Sequence, residues 1–272
     1  MTEVAAASIV VPLLSQQDDW LEQCLRSALT QTVAIPVLVV TSGKTPNSNL
    51  ELLRWLSASY PQLEWFERQP KSGFAGAINE GFTRSRSPRV GLLLSDDWLS
   101  PDTIERCLLD QADIVSTGHI GYSADGGTIL WRRRLSQEAF DALPTLERKA
   151  SYLAHFFLFR REAVLDVGGV DPGIGQVGPD DYDLPWTLLE QGASVALTDA
   201  PMYHCRDHAL DRLTLRPQAE QLRDLRKILH KHGVDEHTCE RLMAEKARWY
   251  GVPCHVAMEN PDWYRDSGTR PD

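Results

Sequence analysis

Short apolar runs and helically spaced apolar positions alternate over the first hundred residues of the chain. Runs of four to eight apolar residues bounded by turn-forming residues are typical of buried strands, and apolar residues three or four positions apart are typical of helices. The pattern predicts strands at 8–13, 37–40, 63–66 and 90–94, helices over 20–29 and 50–56, and a loop leading into a helix over 73–86. The strands are apolar throughout, which indicates a parallel sheet covered by helices on both faces.

The second half of the chain has a less regular pattern. It predicts strands at 114–115, 155–159 and 195–197, and helices starting at 100–101, over 162–167, over 180–191 and over 217–250. Gly168 and Gly192 stand where two of these helices end, as glycine commonly does. We therefore predict an α/β fold in which a mostly parallel, Rossmann-like central sheet is flanked by helices and followed by a C-terminal helical extension.

The composition is that of an acidic globular protein. The 272 residues are 42% hydrophobic and 24% charged, and the formal net charge is −10. A chain this acidic does not offer the basic surface that nucleic-acid binding requires, so we expect no nucleic-acid partner. Five cysteines without a Cys-x-x-Cys pair indicate free thiols in a reducing compartment.

No segment of the sequence predicts an export signal or a membrane span. The N-terminus lacks the basic stretch of a signal peptide, and no run approaches the roughly 20 apolar residues of a membrane span. We therefore expect a cytoplasmic protein. The amphipathic, basic helix predicted at 217–232 leaves two interpretations open, peripheral contact with a membrane or packing against the rest of the chain. A homodimer also stays open.

The apolar run 92–94 is followed by Ser95 and then by two adjacent carboxylates, Asp96 and Asp97. Charges are rarely buried without a partner, so the pair is expected at the carboxyl end of a strand, where open α/β sheets bind their ligands. Adjacent carboxylates suit a hard divalent cation, which in turn suits a diphosphate. An acidic start to the helix at 100–101 is the alternative interpretation.

Three further segments at predicted strand ends or loops carry residues suited to ligand binding. The first is Thr-Ser-Gly at 41–43. The second, 73–81, combines glycines that let the backbone approach a phosphate or sugar with the amide of Asn79. The third joins Gly-Gly-Val-Asp at 168–171 to Asp-Asp-Tyr-Asp at 180–183. Carboxylates at such a helix start act as a general base or only stabilise the helix dipole.

Taken in order, these motifs resemble those of the inverting glycosyltransferases of family 2, which have a GT-A fold. The likeness is to rhamnosyl- and galactofuranosyl-transferase-like members and extends over roughly residues 7 to 210. Residues 8–12 are similar to the family's opening strand, 73–81 to its glycine-rich loop and 94–97 to its "DxD" metal motif. Residues 168–171 resemble "GGFDE", and 180–184 resemble "EDxDL", which carries the catalytic base.

The resemblance implies a transferase that moves a sugar from a nucleotide-diphosphate donor to an acceptor hydroxyl by a single inverting displacement. Asp181 would be the catalytic base, and Mn²⁺ or Mg²⁺ would be bound by Asp97 and His204, with His208 as the competing histidine. The implied donor-binding residues are Pro12, Thr41, Ser42, Gly73, Phe74, Asn79 and Asp96. The implied acceptor residues are Trp131 and Asp180.

The same resemblance divides the chain into a GT-A domain over 1–212, a helical extension over 213–258 and a polar tail over 259–272. Within the domain, residues 1–116 would bind the nucleotide sugar, and 117–212 would hold the acceptor and the base. Acceptors consistent with the resemblance are a glycan, a lipid-linked sugar or a small metabolite, as in polysaccharide biosynthesis.

Departures from the family pattern keep other functions open. Thr41 and Ser42 stand where an aspartate pair is usual, and Thr187 replaces a common arginine. One alternative is therefore a catalytically inactive sugar-nucleotide-binding or scaffold protein of the same fold. The other is a nucleotidyltransferase, which would need a glycine-rich, basic loop after the first strand to hold a triphosphate. Residues 13–18 contain neither a glycine nor a cation.

Overall fold

The structure is a computed structural model that describes residues 4–70, 73–175, 178–210, 215–253 and 255–256. Within these residues, nine strands form one sheet with the order β3-β2-β1-β4-β8-β6-β9-β5, and β7 pairs with β6. The strands are β1 (Ala7–Pro12), β2 (Val37–Thr41), β3 (Leu63–Glu67), β4 (Arg89–Leu92), β5 (Trp98–Leu99), β6 (Ile114–Tyr122), β7 (Ile129–Arg133), β8 (Phe157–Arg160) and β9 (Val195–Arg206).

Helices pack against both faces of this sheet. They are α1 (Asp18–Leu29), α2 (Asn47–Ser59), α3 (Gly73–Arg84), α4 (Thr103–Cys107), α5 (Gln137–Asp141), α6 (Leu146–Tyr152), α7 (Arg161–Asp166), α8 (Leu184–Glu190), α9 (Gln218–Lys231) and α10 (Glu236–Lys246). A π-helical turn, Pro179–Asp183, directly precedes α8.

The strands β3, β2, β1 and β4 lie side by side and are parallel, as their apolar sequences predict. Ile9 and Val11 face a core shared with α1 and α2, whereas Val10 faces a second core shared with α3. Since both faces are covered, successive positions of the strand are equally apolar. The carboxyl ends of these strands meet at one edge of the sheet, which is where ligands bind in open α/β folds.

The second half of the sheet is mixed, because β8 runs antiparallel to β4 and β6. β6 and β9 are parallel to each other and extend beyond the predicted strands, as far as Tyr122 and Arg206. Register shifts next to Gly118 interrupt their pairing, and polar residues interrupt the apolar run of β9. β5 and β7 carry no strand signal, since β5 has two residues and β7 is exposed at three of its five positions and contains two arginines. The extension of β9 brings residues 203–204 beside β5, directly after the adjacent carboxylates.

The C-terminal extension forms two helices, α9 and α10, which pack against each other and against the second half of the domain. Leu225, Ile228 and Leu229 of α9 share a buried cluster with Ile174 and Trp186. Of the two interpretations left open for this helix, these contacts favour packing of the apolar stripe against the rest of the chain. None of the helices in the described ranges combines the length and the apolar character needed to cross a bilayer.

Candidate functional site

The predicted donor-binding residues at the ends of β1 and β2 are largely engaged within the protein. Pro12 is buried at the end of β1. The Thr41 hydroxyl donates to the backbone carbonyl of Phe66 at 3.1 Å, and the Ser42 hydroxyl accepts from the backbone N–H of Lys44 at 3.1 Å. Thr41 and Ser42 are 2% and 7% exposed. Their side chains therefore shape the loop after β2, and they offer little polar surface to a ligand.

The glycine-rich segment forms α3, which begins at Gly73 with a φ of 68°. Phe74, in its first turn, packs against the core beneath the helix. The Asn79 amide donates to the Val170 carbonyl and accepts from the Val170 N–H, both at 2.8 Å. A Cβ at Gly169 would lie 2.3 Å from the Asn79 side chain, so this close approach requires glycine there. Asn79 thus ties α3 to the loop after α7, and the structure does not present it to a donor.

The two adjacent carboxylates between β4 and β5 have different surroundings. Asp97 is 5% exposed, and both its oxygens accept hydrogen bonds, one from the Tyr203 hydroxyl at 2.6 Å and one from the Arg206 N–H at 2.8 Å. Burial and then the charge of Asp97 raise the pKa of Tyr203 well above its ordinary value, so the hydroxyl remains a donor. The Asp97 carboxylate is therefore committed to holding β9, and its contacts do not favour the implied role of metal ligand.

Asp96 is the more accessible member of the pair. Its Oδ2 lies 3.0 Å from Nε2 of His208, and its side chain is 21% exposed. A carboxylate oxygen and an imidazole nitrogen are both ligands that Mn²⁺ accepts, and neighbouring ligands bound at about 2.1 Å around a six-coordinate cation lie about 3 Å apart. In the structure the two groups are hydrogen-bonded to each other, and both are of the type that could bind a divalent cation at this place.

His204, the other histidine that the sequence analysis names, points elsewhere. Its Nε2 hydrogen-bonds to the Ser100 hydroxyl at 2.8 Å, and its ring stacks on Trp98 with 5.3 Å between ring centroids. Burial and then the charge of Arg132 lower the pKa of His204 to about 4. Its Nδ1 is buried without a hydrogen-bond partner in the described part of the chain. Of the two histidines, the geometry thus favours His208 as the ligand.

The guanidinium of Arg206 fixes the segment that carries Asp96. Arg206 is 2% exposed; its Nε donates to the backbone carbonyl of Asp96 at 3.2 Å, and its Nη1 to that of Ala124 at 2.8 Å. The cation lies between the rings of Trp20 and Trp98, 4.8 and 4.9 Å from their centroids. Sequence reasoning missed this residue, because an arginine at the end of an unpredicted stretch of strand belongs to none of the motifs.

The second carboxylate pair occupies the π-helical turn before α8. Asp180 is 5% exposed, whereas Asp181 is exposed on the same turn. Burial, and then the neighbouring charge of Asp181, raise the pKa of Asp180 well above its ordinary value. Asp181 is consequently the member of the pair that an acceptor hydroxyl could reach, and Asp180 lies beneath it.

His155 connects the two carboxylate pairs. Its Nε2 lies 3.5 Å from Oδ2 of Asp180, and its ring stacks on Tyr203, the donor to Asp97. Burial lowers the pKa of His155, and the charges of Asp181 and then Asp96 oppose that shift, so the imidazole is within electrostatic reach of both. The sequence analysis assigned this histidine to a strand and gave it no role. Its signal, one polar residue opening the apolar run 155–159, is too weak to identify a site residue.

Trp131, the predicted acceptor residue, is only 8% exposed. Its ring packs edge-to-face against His119 with 4.7 Å between centroids. A Cβ at Gly121 would lie 2.0 Å from the Trp131 ring, so the indole lies flat on the backbone of β6. These contacts favour a packing role for Trp131 over the implied acceptor role, because little of the ring remains to stack on a sugar.

A separate group of potential metal ligands lies on the C-terminal helices and comprises His230, Glu236 and Cys239. Arg226 donates to Glu236 at 2.8 Å, and the Cys239 thiol donates to the sulfur of Met243 at 3.8 Å. Burial raises the pKa of that thiol, which disfavours the thiolate that a metal requires. We therefore assign no metal to this group.

Comparison with known proteins assigns the chain to a family. Residues 8–168, more than half of the chain, match the family model for glycosyl transferase family 2. The O-antigen biosynthesis protein RfbC of Myxococcus xanthus is 28% identical over 206 residues, which are 74% of this chain and 16% of RfbC. The hyaluronan synthase of Pasteurella multocida is 32% identical over 109 residues, 40% of this chain and 11% of the synthase. The chain thus spans less than a fifth of these two relatives.

Solved structures of the GT-A type share the fold. The mannosyltransferase PcManGT from Pyrobaculum calidifontis, in complex with GDP-Man and Mn²⁺, superposes with a TM-score of 0.65 at 17% identity, covering 95% of this chain and 75% of that protein. S. aureus TarS 1-349, in complex with UDP-GlcNAc, superposes with a TM-score of 0.63 at 14% identity, covering 88% of this chain and 70% of TarS.

Proposed function

The chain belongs to glycosyl transferase family 2, and on this basis we propose that it transfers a sugar from a nucleotide-diphosphate donor to an acceptor hydroxyl with inversion at the anomeric carbon. The observation that carries the proposal is the position of His155, whose Nε2 lies 3.5 Å from Asp180 and whose ring stacks on Tyr203, the hydrogen-bond donor to Asp97. These contacts connect the two carboxylate pairs, and we propose that the cation ligand of one pair and the base of the other lie on opposite sides of the sugar. A single displacement requires that arrangement, because the sugar must lie between its leaving group and the incoming hydroxyl.

The donor diphosphate would bind beside Asp96 and His208, with Mn²⁺ or Mg²⁺ between it and these residues. When bound, the cation neutralises the charge that develops on the leaving diphosphate. Arg206 keeps the Asp96 backbone in place through the hydrogen bond to its carbonyl. We assign the metal-ligand role to Asp96 rather than Asp97, because both Asp97 oxygens already accept hydrogen bonds from β9.

Asp181 would act as the general base. Its carboxylate takes the proton of the acceptor hydroxyl as the oxygen forms a bond to the anomeric carbon. The bond from that carbon to the diphosphate breaks in the same step, and the nucleoside diphosphate leaves with the bonding electron pair. Burial and then the charge of Asp181 raise the pKa of Asp180, which favours the neutral form of the carboxyl beneath the base.

The acceptor is proposed to be a growing glycan or a lipid-linked sugar. The named relatives support this choice, since one is an O-antigen biosynthesis protein and others are hyaluronan and chondroitin synthases. Asp181 itself is exposed, as contact with an acceptor hydroxyl requires. The donor base stays open, because the neighbours bind GDP-Man in one case and UDP-GlcNAc in another.

The test is nucleotide binding measured by calorimetry, with UDP and GDP, in the presence and absence of Mn²⁺. We expect Mn²⁺-dependent binding of one nucleotide to the unaltered protein, and loss of that dependence in Asp96→Ala and His208→Ala. His204→Ala should keep it. Asp166→Ala, which removes an exposed carboxylate on α7, is the matched control.

Transfer is then assayed with UDP-GlcNAc and GDP-mannose, and the anomeric configuration of the product is read by NMR. Retention of configuration would contradict the single displacement. Mn²⁺-dependent binding that survives Asp96→Ala would contradict the assigned metal ligand. Donor binding without turnover on any glycan or lipid-linked acceptor would instead favour the inactive, sugar-nucleotide-binding alternative.

A further inference from the structure

The end of α9 makes buried polar contacts with the turn that carries Asp181. Asp183, two residues after Asp181, is 1% exposed, and its carboxylate accepts from Nζ of Lys231 at 2.7 Å and from Nε2 of His232 at 3.1 Å. A buried carboxylate needs such partners, because an unpaired charge in the interior is strongly unfavourable. The position of the turn is thus coupled to the end of α9.

Lys231 joins two of the loops that border the site. Its Nζ lies 2.7 Å from Asp183 and 3.2 Å from Asp171, which ends the Gly-Gly-Val-Asp segment. One ammonium group therefore bridges the carboxylates of both segments. Since Asn79 fixes the same Gly-Gly-Val-Asp segment to α3, the contacts run continuously from the N-terminal half of the sheet to the turn.

His232 anchors the other side of the turn. Its Nδ1 lies 2.8 Å from Oε1 of Glu190, at the end of α8, and its ring stacks on Trp186 with 4.2 Å between centroids and 4° between planes. The His232 side chain is 1% exposed. The imidazole thus spans α8 from Asp183 at its start to Glu190 at its end, and it fixes the helix that continues from the π-helical turn.

We propose that Lys231 and His232 are positioning residues that hold the π-helical turn, and with it Asp181, in the orientation needed for proton transfer. Only the catalytic part of this inference rests on the proposed function. These two residues lie in the C-terminal extension, outside the 8–168 match to the family model. The extension is therefore part of the catalytic unit of this chain.

The structural part is tested by hydrogen exchange with mass spectrometry on the full chain without any ligand. The amide of Asp183 donates to the Gly178 carbonyl at 2.8 Å, so its exchange reports on the turn. Lys231→Met removes the polar contacts of the lysine and keeps an aliphatic stem. His232→Phe removes those of the histidine and keeps an aromatic ring. In both variants we expect exchange in residues 178–184 to rise at least about tenfold, with exchange in β1 and β2 unchanged.

Lys227→Met is the matched control, because Lys227 lies one turn earlier on α9, is 46% exposed and contacts Asp224 and the Ile174 carbonyl. Lys231→Arg, which keeps a cation at this place, should restore slow exchange. Unchanged exchange in both test variants, or the same rise in the control, would overturn the proposal. Should Lys231→Met fail to fold, His232→Phe decides the question.

The catalytic part is tested with the donor that the binding experiment selects. In Lys231→Met and His232→Phe, kcat per folded molecule should fall about 10- to 100-fold while the KM for the donor stays within about threefold. Nucleotide binding in the presence of Mn²⁺ counts the folded molecules. Faster exchange at the turn without a fall in kcat would refute the positioning role and leave the proposed transfer reaction intact.

Discussion

Two pairs of adjacent aspartates border the candidate site, and the buried member is accommodated differently in each. Asp97 is buried among donors and accepts hydrogen bonds from Tyr203 and the backbone of Arg206. Asp180 is buried to the same degree, but it lies 3.5 Å from the imidazole of His155, whose own pKa is lowered. The burial of Asp97 is compensated by hydrogen bonds, whereas the burial of Asp180 raises the pKa of its carboxyl.

This difference shows how one residue pattern serves two purposes. In both pairs the more accessible member, Asp96 or Asp181, is the one placed to meet a ligand. Beneath Asp96 lies a compensated carboxylate that fixes the backbone, and beneath Asp181 lies a carboxyl whose pKa is raised by burial. A cation ligand benefits from a rigid support, whereas a base benefits from a neighbour that does not compete for the proton.

The largest expected effect concerns the base. Asp181→Asn should lower kcat by about 10²- to 10⁴-fold, because a general base in the displacement is lost. Asp180→Asn is the matched variant, and because Asp180 is buried beneath the proposed base it should lower kcat less than the roughly 10²-fold minimum for a lost base. Single-turnover kinetics with saturating donor measures both. Equal losses in the two variants would remove the distinction between the members of this pair.

The second prediction concerns the free energy of unfolding and the pair Asp96 and Asp97. Here the buried member, Asp97, is expected to contribute more than the accessible member, Asp96. Asp97→Ala leaves the Tyr203 hydroxyl and the Arg206 N–H without their acceptors, so the free energy of unfolding should fall by about 2–5 kcal/mol. Asp96→Ala removes a partly exposed pair with His208 and should cost less than about 1 kcal/mol. Urea denaturation followed by tryptophan fluorescence measures both values. A larger loss for Asp96→Ala would contradict the division of roles.

The third prediction concerns the residue between the pairs. We expect the His155 imidazole, which lies 3.5 Å from Asp180, to hydrogen-bond the sugar of the donor. His155→Ala should therefore lower nucleotide-sugar affinity about fivefold, the worth of one hydrogen bond of about 1 kcal/mol. Affinity for the nucleoside diphosphate alone should not change, because that ligand lacks the sugar. Calorimetry with both ligands gives the comparison, and His155→Asn, which keeps a donor, is the control. An equal loss for both ligands would place His155 against the diphosphate instead.

The sequence predicted the parallel half of the sheet well, because strands covered on both faces leave a continuous apolar signal, as in β1 and β2. It predicted the second half less well, since β9 is partly exposed and its register shifts break the pattern. The proposed site follows the same division. The sequence singles out both aspartate pairs as motifs, but the proposal of Asp96 rather than Asp97 as cation ligand depends on the contacts that Asp97 makes with β9. The roles of His155 and Arg206 depend on strands that only the folded chain brings together.

The smallest expected effect is a change in stability with pH that comes from Asp180 alone. Its pKa in the folded protein is raised, first by burial and then by Asp181, so the folded state binds this proton more tightly than the unfolded state does. The stability that the proton contributes is complete below the unfolded pKa of about 3.9 and is lost as the pH rises through the folded value.

The amide introduced by Asp180→Asn is neutral at every pH, so the melting temperature of this variant should exceed that of the unaltered protein increasingly as the pH rises. Asp181→Asn should produce a smaller rise in the same direction, because it removes the lesser of the two causes, and Asp166→Asn controls for the loss of one carboxylate. A melting-temperature difference that is the same at every pH would show that Asp180 is compensated as Asp97 is, and the contrast between the two pairs would disappear.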